Sequence, residues 1–177
     1  MKKVIILVLF LLSSITYGQI QKGESLLSLS ASPYPTTTNN KNDFGILGLA
    51  SFEFFAFKNI SLSGTFSISN NTLFKNNSQV TIHSYSFIPS AHYYFINKKK
   101  WNVFAQIGYG YGFEDQTQGV IQNSALTIFN IGTGAHYNIN EAWFLKLLLP
   151  YFDANNITLN VDAASGIAVF IGGGIKL

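Results

Sequence analysis

Residues 101–113 read W-N-V-F-A-Q-I-G-Y-G-Y-G-F, and the fold follows from how these residues alternate. The odd positions are Trp101, Val103, Ala105, Ile107, Tyr109, Tyr111 and Phe113. The even positions are Asn102, Phe104, Gln106, Gly108, Gly110 and Gly112. A strand sends alternate side chains to opposite faces, so the stretch predicts a strand with one apolar face and one small or polar face. The second face carries no charge, whereas a sheet bathed in water turns Lys, Glu and Thr outward. Gly, Asn and Gln suit a narrow polar interior instead. The apolar face starts on Trp and ends on Tyr and Phe, as where a strand crosses both surfaces of a bilayer. The length suffices, because a tilted membrane strand needs about 9–11 residues.

Composition points the same way. Of the 177 residues 47% are apolar and only 11% charged, against about 25% charged in a soluble domain. Beyond the first dozen residues, no apolar run is long enough for a membrane helix. The absence of Cys excludes a disulfide framework and a thiolate metal site. There is no Arg, and Lys98-Lys99-Lys100 is the one basic cluster. Three lysines in a tight turn read as a solvated turn, so nucleic acid is not an expected partner.

At the N-terminus, Lys2 and Lys3 precede the apolar run Val4 to Leu12, then a short polar stretch and Gly18. That order predicts a secretory signal peptide over residues 1–18, cleaved before Gln19, and a mature domain over 19–177. The apolar run is far short of the about 20 residues of a membrane anchor.

Eight alternating segments follow: Glu24 to Ser32, Phe44 to Phe57, Ile60 to Ser69, Val80 to Phe95, Trp101 to Phe113, Asn123 to Tyr137, Glu141 to Phe152 and Ala163 to Leu177. The third is the clearest, with Ile60, Leu62, Gly64, Phe66 and Ile68 opposite Ser61, Ser63, Thr65, Ser67 and Ser69. Pro89 interrupts the fourth, and a bulge is expected there that shifts the facing of Ala91 to Phe95. Polar loops at 33–43, 70–79, 114–122 and 153–162 alternate with short turns at 58–59, 97–100 and 138–140. An even strand count with alternating loop lengths predicts a closed, eight-stranded, antiparallel, up-and-down transmembrane β-barrel. Both termini and the short turns are then periplasmic. Closure is required, since an open strand edge in lipid leaves backbone groups unsatisfied.

Two aromatic belts are expected. Phe57, Phe95, Trp101, Tyr137 and Trp143 adjoin the short turns; Phe44, Tyr109, Tyr111, Phe113 and Tyr151 adjoin the long loops. Signal peptide and eight strands together resemble the OmpA/OmpX-type small outer-membrane barrels. The resemblance covers Gln19 to Leu177 by pattern. It implies an integral place in the outer membrane of a Gram-negative-type envelope and assembly by the barrel assembly machinery. It also implies a role in envelope integrity, adhesion or surface interaction, with loops 33–43, 70–79, 114–122 and 153–162 facing a surface ligand. Such barrels often end in an aromatic residue, whereas this chain ends Ile175-Lys176-Leu177.

Reactive chemistry is sparse. His83, His92 and His136 show no metal-ligand spacing and no adjacent acid. His83 and Ser84 fall near the outer rim but, as neighbours, point to opposite faces. The glycines of G-Y-G-Y-G lack the strand-to-helix context of a nucleotide loop. Four polar residues do fall together, each about five residues from a short turn: Glu53, His92, Gln106 and Lys146. Buried charges need partners, so this quartet is expected to be a neutralised lumen plug with Glu53 facing Lys146. No catalytic residue, metal or cofactor is expected. The reading is a non-enzymatic barrel with a plugged polar lumen; a narrow solute channel and a lipid-modifying enzyme are the alternatives.

Overall fold

The computed structural model describes residues 21–38, 41–75, 78–116, 124–158 and 161–177, with side chains described except at 34–38, 41–44, 71–75, 78–80, 116 and 161–164. The strands are β1 (Ser25–Thr38), β2 (Lys41–Phe57), β3 (Ile60–Lys75), β4 (Ser78–Asn97), β5 (Trp101–Gln116), β6 (Ser124–Asn138), β7 (Trp143–Asn156), β8 (Val161–Ile167) and β9 (Phe170–Lys176). Every pairing is antiparallel: consecutive strands pair from β1 to β8, β9 pairs with β7, and β1 closes on β9. β8 and β9 are two halves of one stave, so the ring has eight staves.

The register fixes the tilt. From Phe113 the paired residues run through Tyr85, Ile68, Gly48, Ala31, Ile171, Leu147 and Ala135 and return to β5 at Val103, ten residues lower. Spread over eight staves at ordinary strand spacings, that shear tilts the strands by about 40°. The rise from Trp101 to Tyr111 is then about 26 Å, close to the apolar band of an outer-membrane barrel.

The wall is inverted relative to a soluble protein. Leu29, Phe66, Ile107, Tyr111, Leu147 and Ile171 are exposed, while Ser61, Glu53, His92, Asn102, His136 and Lys146 are buried. Phe57, Phe95, Trp101 and Trp143 stand exposed near the short turns, with Tyr137 half-buried against the Trp101 ring at 4.7 Å. Tyr109, Tyr111, Phe113 and Tyr151 are exposed toward the other end. Phe44 lies on β2 opposite Pro35, with its side chain outside the described set, as is the whole of residues 1–18.

Three sequence expectations are corrected. Pro89 makes no bulge: it stays opposite Gly64, and the β4–β5 register is the same at Phe87↔Tyr111 and Ser90↔Gly108. The missing N–H leaves a gap in that ladder, not an inserted residue, so His92 and Tyr94 keep their inward facing. The register shifts lie instead at Phe55/Phe57, Tyr94/Ile96 and Ala154/Asn155. The first of these turns Phe57 outward although Phe55, at the same parity, points in. Second, the long loops are largely strand. β1 and β2 pair out to Thr38↔Lys41 and β3 and β4 to Lys75↔Ser78. Polarity there marks where the wall leaves the apolar layer, while hydrogen bonding continues beyond it. The remaining loop residues 39–40, 76–77, 117–123 and 159–160 lie outside the described residues. Third, the last stave breaks at Ala168–Val169.

Prolines explain the break. Even residues of β7 bond toward the last stave, as in Lys176 N–H donating to Ala142 O at 2.8 Å. Pro150 therefore faces Ala168 with an acceptor and no donor: Ala168 N–H reaches Pro150 O at 3.1 Å, and nothing returns. On the other side, odd residues of β1 face the last stave, as in Leu177 N–H to Ser25 O at 2.9 Å. The β1–β9 ladder runs from Leu26↔Lys176 to Ala31↔Ile171. Pro33 and Pro35 come next at the same parity, and β8 forms its ladder with β7 alone among the described residues.

This facing gives a test. Arginine at Ile107 meets lipid at mid-wall, while at Gln106 it enters the lumen. Ile107→Arg should therefore cost about 2–4 kcal/mol more than Gln106→Arg in refolding titrations into lipid vesicles. The reverse order would show the faces to be exchanged.

Candidate functional site

The lumen is filled from the short-turn end. Phe55, Tyr94, Phe104, Phe144 and Phe170 are 0–1% exposed and form a continuous apolar cluster with Leu26, Leu49 and Leu148. Tyr94 is the hub, with ring centroids 4.9 Å from Phe55 and 5.0 Å from Phe104. Glycine makes the floor possible. A Cβ on Gly134 would enter the Phe104 ring, and one on Gly174 the Phe144 ring. His136 sits among these rings, 4.6 Å from Phe144 and 5.0 Å from Phe104, and neither ring nitrogen has a hydrogen-bond partner among the described residues.

The lumen is thus not uniformly polar, as its Gly, Asn and Gln content suggested. Phe104 and Phe144 already lie on the inward parity in the sequence; Phe55, Tyr94 and Phe170 were the omission. The available signal was an aromatic at inward parity a few residues from a short turn, as at Phe55, Tyr94, Phe104 and Phe144.

A polar layer rests on this floor. Glu53, His92, Gln106 and Lys146 are all buried there, but they divide into two groups. Glu53 Oε1 accepts from Ser61 Oγ and from Tyr94 Oη at 2.6 Å, and lies 3.2 Å from His92 Nδ1. Nε2 of His92 contacts Ser63 Oγ at 3.1 Å. Lys146 Nζ instead donates to Ser28 Oγ at 3.2 Å, and Gln106 Nε2 donates to Asn130 Oδ1 at 3.5 Å. His92, not Lys146, is the charge partner in contact with Glu53. The shear is the reason, because strands two and seven carry residues of equal distance from a turn to different heights. Above, hydroxyl pairs continue the polar face: Ser51 with Thr65 at 2.9 Å, and Ser67 with Ser86.

Glu53, His92 and Ser63 have the connectivity of an acid–histidine–serine relay, which the sequence did not reveal because it spans three strands. Connectivity alone does not make a hydrolase. The void beside His92, bounded by Ser51, Thr65, Gln106, Asn130 and Lys146, measures about 10 Å³, room for one water and no acyl group. Ser63 is itself buried. What this arrangement can do as it stands is hold charge in place and exclude solvent.

Charge is also partitioned along the axis. Lys22, Lys58, Lys98, Lys99, Lys100 and Lys176 lie at the short-turn end, with Glu24 and Glu141 the acids there. At the opposite end Asp43, Glu114, Asp115, Asp153 and Asp162 accompany only Lys41 and Lys75.

This geometry, an antiparallel ring of eight staves with an apolar exterior, is that of the small outer-membrane β-barrels of the OmpA/OmpX type. Solved structures show the likeness directly. The outer membrane protein OprG from Pseudomonas aeruginosa superposes with a TM-score of 0.63 at 13% identity, covering 92% of this chain and 99% of that one. Neisserial surface protein A gives 0.62 at 13% identity over 88% of this chain and 97% of that one. Ail, the attachment invasion locus protein of Yersinia pestis, gives 0.54 at 14% identity over 89% and 100%. Ail is also known in complex with the heparin analogue sucrose octasulfate. No protein-family model matches the chain, and neither does any curated protein. At these identities what is shared is the fold.

The two polar groups should respond differently to deletion. Glu53→Ala strands the buried His92, Tyr94 hydroxyl and Ser61 together and should cost about 3–5 kcal/mol in urea unfolding from lipid. Lys146→Met removes a buried cation that one hydroxyl satisfies and should cost distinctly less. Equal losses would mean that Glu53 and Lys146 act as one pair.

Proposed function

We propose that the chain is an integral outer-membrane barrel whose lumen is a structural plug and whose loops present the contact surface. Residues 1–18 are its secretory leader, removed before Gln19. The short turns and both termini face the periplasm, and the ends of the long hairpins face outside. The observation that carries the reading is the aromatic floor under the Glu53–His92 group: five rings at 0–1% exposure pack together at the short-turn end of the lumen. An eight-stave barrel has an interior that side chains can fill, and this one is filled. Lys146, Gln106 and Asn130 close the layer above without a cofactor-sized space.

The outer end supports a choice of surface ligand. Ail is known with a polyanionic heparin analogue. Here the outer end carries Asp43, Glu114, Asp115, Asp153 and Asp162 against Lys41 and Lys75, a balance that repels a polyanion. A cationic or neutral surface partner fits better. Adhesion and envelope integrity both remain within this reading.

The plug is tested by single-channel recording in planar bilayers. The wild type should show no steady conductance, and Phe104→Ala with Phe144→Ala should introduce one by opening the floor. A steady, high conductance of the wild type would replace the plug with a solute channel.

A further inference from the structure

The outward face of β3, β4, β5 and β6 carries a groove of about 710 Å³, lined by Ile60, Ala91, Tyr93, Ala105, Ile107 and Ile131. It arises because small side chains fall between large ones on adjacent staves: Ala91 lies opposite Ile107, and Ala105 opposite Tyr93. Directly below, at the short-turn end of the same staves, the wall ends in lysines. Lys58 lies in the turn that leads into Ile60, and Lys98, Lys99 and Lys100 lie in the turn that leads into Trp101; all four are exposed. The two turns are tied together, with Asn97 Nδ2 donating to Lys58 O at 3.1 Å. Lys22 adds a fifth cation 6.0 Å from the Phe57 ring.

The acids of the adjoining staves stand apart from these lysines: Glu53 is buried in the lumen, and Asp43, Glu114 and Asp115 lie toward the opposite end. Between Glu53 and Glu114 the sequence holds no Asp or Glu at all. A rim of clustered, exposed lysines, set at the end of an apolar groove on a membrane-facing wall, matches a ligand with an anionic head and hydrocarbon tails. We propose that the groove and Lys58, Lys98, Lys99 and Lys100 form a binding site for one anionic diacyl phospholipid of the leaflet at the short-turn end. The acyl chains lie against Ala91 and Ala105, and the phosphate meets the lysines. The site rests on the reading of the chain as a membrane barrel and adds a lipid selectivity to it. A groove of this volume takes a length of hydrocarbon that a flat wall would not hold.

The chain carries its own reporters. Trp101 is exposed on the groove's side of β5, below Ala105, while Trp143 stands on β7, outside the groove lining and close to Glu141 in sequence. These are the two tryptophans of the sequence. With Trp143→Phe only Trp101 fluoresces; with Trp101→Phe only Trp143 does. Each is placed in phosphatidylcholine vesicles containing equal small fractions of dibrominated phosphatidylglycerol or dibrominated phosphatidylcholine. Trp101 should be quenched more by the anionic lipid, with local enrichment of about fivefold for each lysine engaged, and the difference should shrink in high salt. Replacing Lys58, Lys98, Lys99 and Lys100 with Gln should make the two lipids equal, and Ala105→Phe should weaken quenching by both. Trp143, two staves from β5 and outside the groove, should show a distinctly weaker preference. Equal quenching of wild-type Trp101 by the two lipids, or the same anionic preference at Trp143, overturns the site. If neither tryptophan is quenched by either lipid, the membrane reading itself fails.

Discussion

Inside a bilayer every backbone N–H and C=O has to find its partner within the protein, since no water is present to take its place. For a sheet that leaves ring closure, and closure here rests on the short ladder between β1 and β9, from Leu26↔Lys176 to Ala31↔Ile171. All four prolines of the chain bear on this constraint. Pro89 opens a gap in the β4–β5 ladder without shifting it, and Pro150, Pro33 and Pro35 flank the last stave where it breaks. The β1 ladder stops just below Pro33. Tyr151 of the outer belt lies opposite Ile167, so pairing lapses close to the interface, where headgroups and water can solvate a strand edge. The apolar layer below keeps its pairing on both sides of β9.

The same wall sets what the interior can be. Ten residues of shear over eight staves leave an interior that side chains fill, and the chain fills it in two ways. Aromatic rings pack together at the short-turn end, where Gly134 and Gly174 make room for them. Above them a buried carboxylate is held by two hydroxyls and an imidazole. Burying Glu53 alone would be costly. Its position on β2, beside Ser61 of β3 and within reach of His92 and Tyr94 of β4, spreads that cost across three staves. Polar contacts of this kind tie the strands in one arrangement, while the rings supply the close packing.

Alternation in W-N-V-F-A-Q-I-G-Y-G-Y-G-F was enough to read the wall, because lipid outside and crowding inside act on opposite parities of each strand. Strand ends were less legible: Thr36 to Thr38 and Asn70 to Lys75 look like loop by composition yet pair as hairpin beyond the apolar layer. Pro89 misled for a related reason. A missing donor predicts a lost hydrogen bond, and only tertiary context decides whether the strand answers with a bulge. Partners inside the lumen were hardest to read. Distance from a turn suggested Glu53 opposite Lys146, but height in a sheared barrel depends on the register summed around the whole ring. The Glu53–His92–Ser63 contact spans residues distant in sequence, and no local pattern announces it.

Closure in lipid is the claim on which the wall, the plug and the lipid groove all depend. Hydrogen exchange of the β1 amides in bilayers addresses it most directly. Leu27, Leu29 and Ala31 share the parity of Ser25, whose carbonyl accepts from Leu177, so their N–H groups face β9. In a closed ring they should be protected as strongly as Ser28 and Ser30, whose N–H groups face β2. Rapid exchange at Leu27, Leu29 and Ala31 with slow exchange at Ser28 and Ser30 would mark β1 as the free edge of an open sheet and contradict the account.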